Sequence, residues 1–547
     1  MSLRKMLCAV IAAAVIAGGG ALALLFRPAP APAAAPEFAT PAVLRPPVAP
    51  DRVVVLANSA DAESLALAGY YMRRRGIPEK NLVALPMSAD EEISWEEFAE
   101  KIWNPLLKTL AERKWLTGGI SAVPDASGRL RLRDGRSAIG YLVLCKGTPL
   151  RVRNAPALLE AVPRGVTVPA PLRTGGCSTD SELALLAAAG SPLVAYVSNP
   201  LFAAGGGSRA RAPLAIVAGE NIVRVARLDG PTFANCRQLV DNALLGEKNG
   251  LAGRAYIDTG GRYPAGDRWF NAAGDALERA GFDTSRETSH FLFGDETRAD
   301  APAFYLGWYA SRITGRFADP FLRFAPGAVA LHLHSFSAVT LRSPSRGWTG
   351  PLVARGCSIV FGNVAEPLLN LTTRPDILVA ALLDGAQAGE AAALATPAWS
   401  WQTILVGDPL YSPFRVPLDA QLERLHAGGP ASRAPALRAA IITRKANLLR
   451  RQGRAGDALA LLAAEVRRAP SPALRFALAR AASHPSLAWD SEADEVALAA
   501  TDTGLLVEIA RYLRAGGATS EARDAYRHLL ARNLPAPLRE TLEKERP

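Results

Sequence analysis

Between residues 51 and 415, uninterrupted apolar runs of strand length alternate with amphipathic segments of helix length, and this rhythm admits few folds. RVVVLAN (52–58) predicts a strand, DAESLALAGYYMRRRG (61–76) a helix closed by Gly76, and NLVALP (81–86) a second strand. A helical segment over 93–113 and the apolar SAIGYLVLCKG (137–147) follow. The rhythm resumes with NIVRVARLDGP (221–231), a helix from Thr232 to Glu247, GRAYID (253–258) and a helix from about Asp267 to Ala280. AFYLGWYA (303–310), AVALHLHS (328–335), CSIVFGNV (357–364) and TILVGDPLYSPF (403–414) complete it. A strand that is apolar on both faces must be covered on both, so the expected class is α/β, a helix-flanked, mostly parallel sheet or two such sheets side by side. The boundaries read as one unit over 51–415, with subdomains at about 51–220 and 221–415. Residues 150–215, rich in Pro and Gly, read as an excursion over the sheet.

What flanks this unit is different in kind. NLLRRQGRAGDALALLAAEVRRAP (447–470) and IARYLRAGGATSEARDAYRHLLARN (509–533) each pair two helices around a glycine turn, with Ala458 and Ala522 in matching places. That 64-residue spacing is close to two repeats of about 34, so an all-α helical-hairpin tail is expected over 435–547. At the other end, Arg4 and Lys5 precede an uncharged run from Met6 to Phe26, which reads as a signal peptide or a membrane anchor over 1–27. Eight prolines among the 23 positions 28–50 make a stiff linker. An exported protein of the periplasm or cell envelope is therefore expected, with the membrane as a partner through the N-terminal segment.

The formal charge of +11 raises nucleic acid as a partner, but only nine of the 62 basic residues are Lys, and no basic run interleaves with stacking aromatics. No nucleic acid is expected. Cys145, Cys177, Cys236 and Cys357 show no CxxC spacing, and separate buried thiols are expected over the three possible pairings. No Gly-rich phosphate loop, HExxH helix, GxSxG elbow or paired metal-ligand cluster is present, so no cofactor and no metal are expected.

Ligands of such sheets gather beyond the carboxyl ends of the strands. Asn58, Ser59, Lys146, Asp258, Trp308, His334, Ser335, Asn363, Glu366 and Asp408 fall there; Asn58, Lys146, Asp258, Trp308 and Asn363 are the binding candidates. In AVALHLHSFSA (328–338), parity sets Val329, Leu331, Leu333, Ser335 and Ser337 on one face and Ala330, His332, His334 and Phe336 on the other, with polarity arriving only at the carboxyl end. His332 or His334 as base, Ser335 as nucleophile and Glu366 of GNVAEP as acid or base are the catalytic candidates. On strand parity His334 and Ser335 cannot pair directly. The competing reading has both histidines bonded within the packing. Four other segments read as structure: Thr179 and Glu182 as a capping box, Pro375 and Asp376 as a helix start, Asp408 as a turn that binds its own backbone, and LDGPT (228–232) as a turn into a helix.

NSADAESLALAGYYMRRRGIP, YLVLCKGTPLR, STDSELALL, RLDGPT, GRAYID, HLHSFSA, GNVAEP, PDILVAALLDG and VGDPLYSPF, in this order, resemble an exported bacterial family, and the resemblance implies no activity. More distantly, the layout is similar to gingipain-type peptidases of caspase-like fold. The resemblance implies a His-Gly after one strand, a Cys after the next and a GDP-like turn near the end. By order, the His-Gly place falls at GWYAS (307–311) and the Cys place at HSFSA (334–338), where this chain has Trp308, Tyr309 and no cysteine. The tail resembles tetratricopeptide repeats, which implies a protein partner. Two functions are compatible with these features: a non-catalytic or diverged caspase-like binding domain, or a peptidase-like hydrolase built on His332 or His334, Ser335 and Glu366.

Overall fold

In a computed structural model, residues 46–161, 168–188, 194–203 and 221–547 are described; the expected signal or anchor segment and most of the linker lie outside them. Among the described residues, no helix is long and apolar enough to cross a membrane.

Ten strands form one sheet: β1 Val53–Asn58, β2 Leu82–Leu85, β3 Tyr141–Cys145, β4 Arg224–Leu228, β5 Arg254–Asp258, β6 Thr284–Glu287, β7 Pro302–Gly307, β8 Val329–His332, β9 Ile359–Asn363 and β10 Thr403–Gly407. Their order is β6-β5-β7-β8-β9-β10-β4-β3-β1-β2. Pairing is parallel within β2-β1-β3-β4 and within β6-β5-β7-β8-β9, and β10 runs antiparallel to β9. The two expected subdomains thus share a continuous sheet, in which β4 sits with the strands of the first. A single register pair, Arg227 opposite Val406, joins β4 to β10.

Burial explains the continuous apolar runs. In β1, Val53, Val55 and Ala57 face one core, shared with Tyr141, Val143 and Tyr305, while Val54 and Leu56 face another with Leu142 and Leu144. At the far end of the sheet, Ala255, Ile257, Phe304, Leu306, Val329 and Leu331 pack under the helices Pro264–Arg279, Pro375–Leu383 and Ala388–Ala395. Local signals set the helix ends. Asp61 caps helix Ala62–Arg75 by accepting from Glu63 N at 2.9 Å, and Gly76 ends it at φ 67°, a conformation that favours glycine. The start of the domain lies earlier than composition suggested. Val48, inside the Pro-rich stretch, is buried and exchanges two backbone bonds with the Gln387 side chain, at 2.8 and 3.1 Å.

The tail is helical: Pro435–Arg451, Ala455–Arg468, Pro472–Ala482, Ser491–Ala500, Thr503–Ala515, Thr519–Leu530 and Ala536–Glu545. Gly453 and Gly517, both at positive φ, turn the first and last hairpins, and Ala458 and Ala522 are fully buried in the tail's own core. The tail is fastened to the α/β domain. Arg444 donates to Ala280 O at 2.9 Å, Asn447 to Gly281 O at 3.1 Å, and Arg316 meets Asp502 at 2.7 Å.

Candidate functional site

The carboxyl ends of β7, β8 and β9 deliver three loops to one rim, and the loop after β8 continues across the loops that follow β2 and β3. Leu341 N donates to Glu91 Oε1 at 2.8 Å and Arg151 Nη1 to Val339 O at 2.8 Å. Asp408 is not on this rim. It closes antiparallel β10 and holds Tyr71 (2.8 Å) and Arg75 (2.5 Å), at the end of helix Ala62–Arg75 that returns to the start of β1. Its Oδ1 also accepts from Leu410 N at 3.0 Å, the backbone turn expected of it.

His332 ends β8 inside the protein. Its Nε2 lies 3.1 Å from Ala310 N and 3.2 Å from Ala310 O, and its Nδ1 lies 2.9 Å from Tyr305 Oη. The ring stacks on Trp348 with centroids 3.6 Å apart. Burial, with a smaller contribution from nearby His334, holds the imidazole well below its usual range. His332 is a packing residue.

Beyond His332 the chain leaves the strand and turns through Phe336 at φ 59°. The parity expected for 333–337 therefore does not apply, because period-two alternation holds only while the ladder continues. The turn brings Ser335 to Glu366: Ser335 Oγ donates to Glu366 Oε2, and Oε1 accepts from Leu368 N at 3.0 Å. His334 is close but differently engaged. Its Nδ1 donates to the carbonyl of Ser335 at 2.6 Å, not to the hydroxyl, and its ring lies against Tyr309, centroids 4.6 Å apart. The backbone amides beyond Ser335 are all committed: Phe336 N to Ala365 O at 3.1 Å, Ser337 N to His334 O at 3.2 Å and Ala338 N to Asn363 O at 2.9 Å.

The binding candidates divide by burial. Asn58 is enclosed and satisfied, donating to Met87 O and Gly147 O and accepting from Ala60 N and Met87 N, all within 3.0 Å. Asn363 braces the rim from inside, taking Thr372 Oγ1 at 3.1 Å and reaching His334 O at 3.4 Å. Lys146, half-buried, donates to Gly230 O at 3.2 Å. Trp308 is buried between Gly261 and Gly266, where any Cβ would meet its ring at 2.1 or 2.0 Å, and its Nε1 donates to Asp267 at 2.8 Å. Asp258 is fully buried with neither carboxyl oxygen hydrogen-bonded among the described residues. Burial, then the charges of Glu287 and Asp267, push its pKa up to about 9.

Sequence reasoning missed the exposed aromatics of this rim. Tyr263 (43% exposed) and Tyr309 (37%) meet edge to face at 6.2 Å, Tyr309 lies against His334, and Phe336 (49%) follows Ser335 in the chain. The signal was the position of Tyr309 two places after a strand end. The expected capping box is also different: Ser178, not Thr179, caps helix Thr179–Leu183 by accepting from Ser181 N at 3.0 Å. Shifting the cap by one residue frees Asp180 and Glu182 for buried pairs with Arg227 and Arg129. Pro375 does stand at the first position of its helix with Asp376 in the first turn, and Thr232 caps helix Phe233–Asn249. Cys145, Cys177, Cys236 and Cys357 are buried and free, and burial raises each thiol pKa. Among the described residues, no group of three potential ligands could hold a metal.

No family model matches the chain, and no curated protein matches it. A solved structure described as "Structure of Protease" is similar at TM-score 0.33 and 10% identity, over 67% of this chain and 79% of that one.

Proposed function

We propose that this chain is an exported, envelope-associated binding protein, in which a non-catalytic caspase-like domain carries a protein-binding, tetratricopeptide-like tail. The observation that carries this reading is the hydrogen bonding beyond Ser335. Acyl transfer needs a base on the nucleophile and N–H donors free to meet the developing oxyanion. Here the His334 Nδ1 proton goes to a carbonyl, and the amides of Phe336, Ser337 and Ala338 are each spent within the fold. The caspase-like assignment is supported by Tyr309 and His334, which meet across the loops after adjacent strands β7 and β8, the juxtaposition a His/Cys dyad would need.

One observation favours a hydrolase instead: the Ser335 hydroxyl donates directly to Glu366. A fluorophosphonate probe separates the two readings. The binding protein leaves Ser335 unlabelled, at the level of a Ser335→Ala variant; labelling of the native chain that vanishes in the variant would establish the hydrolase. Mass measurement of the mature N-terminus after expression with residues 1–27 tests export.

A further inference from the structure

A cleft of about 610 Å³ lies between the tail and the outermost strand of the sheet, lined by helices Pro435–Arg451, Ala455–Arg468 and Pro472–Ala482 on one wall and by residues leading into β6 on the other. Its volume is that of a ligand site. Its floor is apolar, made by Phe282, Leu462, Phe476 and the small side chains of Ala446 and Ala473.

The charges around it do not cancel. Glu278 is held by Arg286 at 2.8 Å, and Asp283 by Arg254, with Arg298 and Arg480 each at 3.6 Å. Arg298 is itself taken by Asp300 at 2.5 Å. The acids of the cleft are thus fully committed. Arg450 and Arg451 line it, are exposed and have no ion pair among the described residues, and Arg480 is half-exposed.

We propose that this cleft binds an acidic peptide segment of a partner protein, with carboxylates on Arg450, Arg451 and Arg480 and an apolar side chain on the floor. This names the partner chemistry of the binding reading given above. A small inorganic anion would use the guanidinium groups and leave the apolar floor bare. A peptide that alternates acidic and apolar side chains satisfies both, and Arg suits carboxylates because its planar fork can bind both oxygens.

The test is fluorescence anisotropy of the full chain with a fluorescein-labelled peptide, Glu-Leu-Glu-Asp-Leu-Glu, and with its counterpart carrying Lys at every acidic position. Saturable binding of the acidic peptide alone is expected, weakened at least tenfold by Arg450→Gln with Arg451→Gln and unaffected by Arg73→Gln with Lys80→Gln outside the cleft. Melting temperature confirms that both double variants fold. Absent binding, equal binding of the lysine peptide, or binding indifferent to the first double variant overturns the proposal. The outcome is independent of Ser335 labelling, so a hydrolytic rim with intact peptide binding would remove only the non-catalytic reading.

Discussion

His332 and Trp348 lie ring over ring, 3.6 Å between centroids and 8° from parallel, and both are tied to Ala310: His332 through its amide, Trp348 through its carbonyl at 2.8 Å. This pair fixes the loop after β7 against the end of β8. Burial disfavours the charged imidazolium of His332, and the nearby His334 adds to this. Because the folded pKa of His332 is depressed, the unfolded chain takes up the proton first, so stability falls as pH drops below about 6.5. His332→Phe keeps the stacking and removes that proton. Differential scanning calorimetry at pH 8 and 5 is expected to show a larger acid-induced loss of Tm for the native chain than for the variant; equal losses would place the acid sensitivity elsewhere.

Asp258 predicts the opposite slope. Its folded pKa is raised to about 9 by burial and by Glu287 and Asp267, so the folded state holds a proton that the unfolded state releases above its ordinary carboxyl range. Stability is lost as pH rises across that window, by up to about 1.4 kcal/mol per pH unit. Asp258→Asn carries no such penalty. Its stability relative to the native chain is expected to climb between pH 4.5 and 8 in urea titrations, and a flat difference would contradict the buried neutral carboxyl.

How much was legible in the sequence depended on what drove each element. The ten-stranded sheet was visible wherever burial on both faces wrote a continuous apolar run, as in YLVLC and VVVLAN. β6, Thr284–Glu287, was not visible, because an edge strand half open to solvent carries TSRE and no periodic signal. The helix starts at Pro375 and Thr232 were legible from local chemistry. The Ser178 cap was misread by one residue, since three successive positions, Ser178, Thr179 and Asp180, could all cap. At the rim, Ser335 and Glu366 were named from strand-end position alone, but the meeting of the two rests on a turn at Phe336 that no residue type announces. The cleft under the tail was illegible, because it depends on how two separately patterned units pack.

Arg444 carries that packing. Its guanidinium sits 4.0 Å from the centre of the Phe282 ring and 5.5 Å from that of Phe414, and burial alone lowers its pKa to about 10. Cation–π contact of a desolvated guanidinium contributes about 2 kcal/mol. Arg444→Ala is expected to loosen the tail from the α/β domain by that order, seen as faster proteolysis between residues 426 and 440. Arg444→Lys restores little, since an ammonium cannot lie flat between two rings while donating to Ala280 O. Unchanged cleavage in Arg444→Ala would show that the other tail contacts suffice.

Arg227 stands at the seam of the sheet. It is fully buried, donates through Nε to both Asp180 oxygens at 3.0 Å, meets Asp229 at 3.2 Å and reaches the carbonyl of Pro149 at 3.1 Å. Removing the cation alone leaves the buried carboxylates of Asp180 and Asp229 without the guanidinium that offsets their charge, a loss of about 3–5 kcal/mol. Arg227→Met is therefore expected to lower the urea midpoint strongly, and adding Asp180→Leu to recover part of the loss by deleting one orphaned charge. Because Arg227 opposite Val406 is the one register pair joining β4 to β10, the single variant should also speed hydrogen exchange at β10 more than at β1. Uniform acceleration across both strands would mean that the seam opens only with global unfolding.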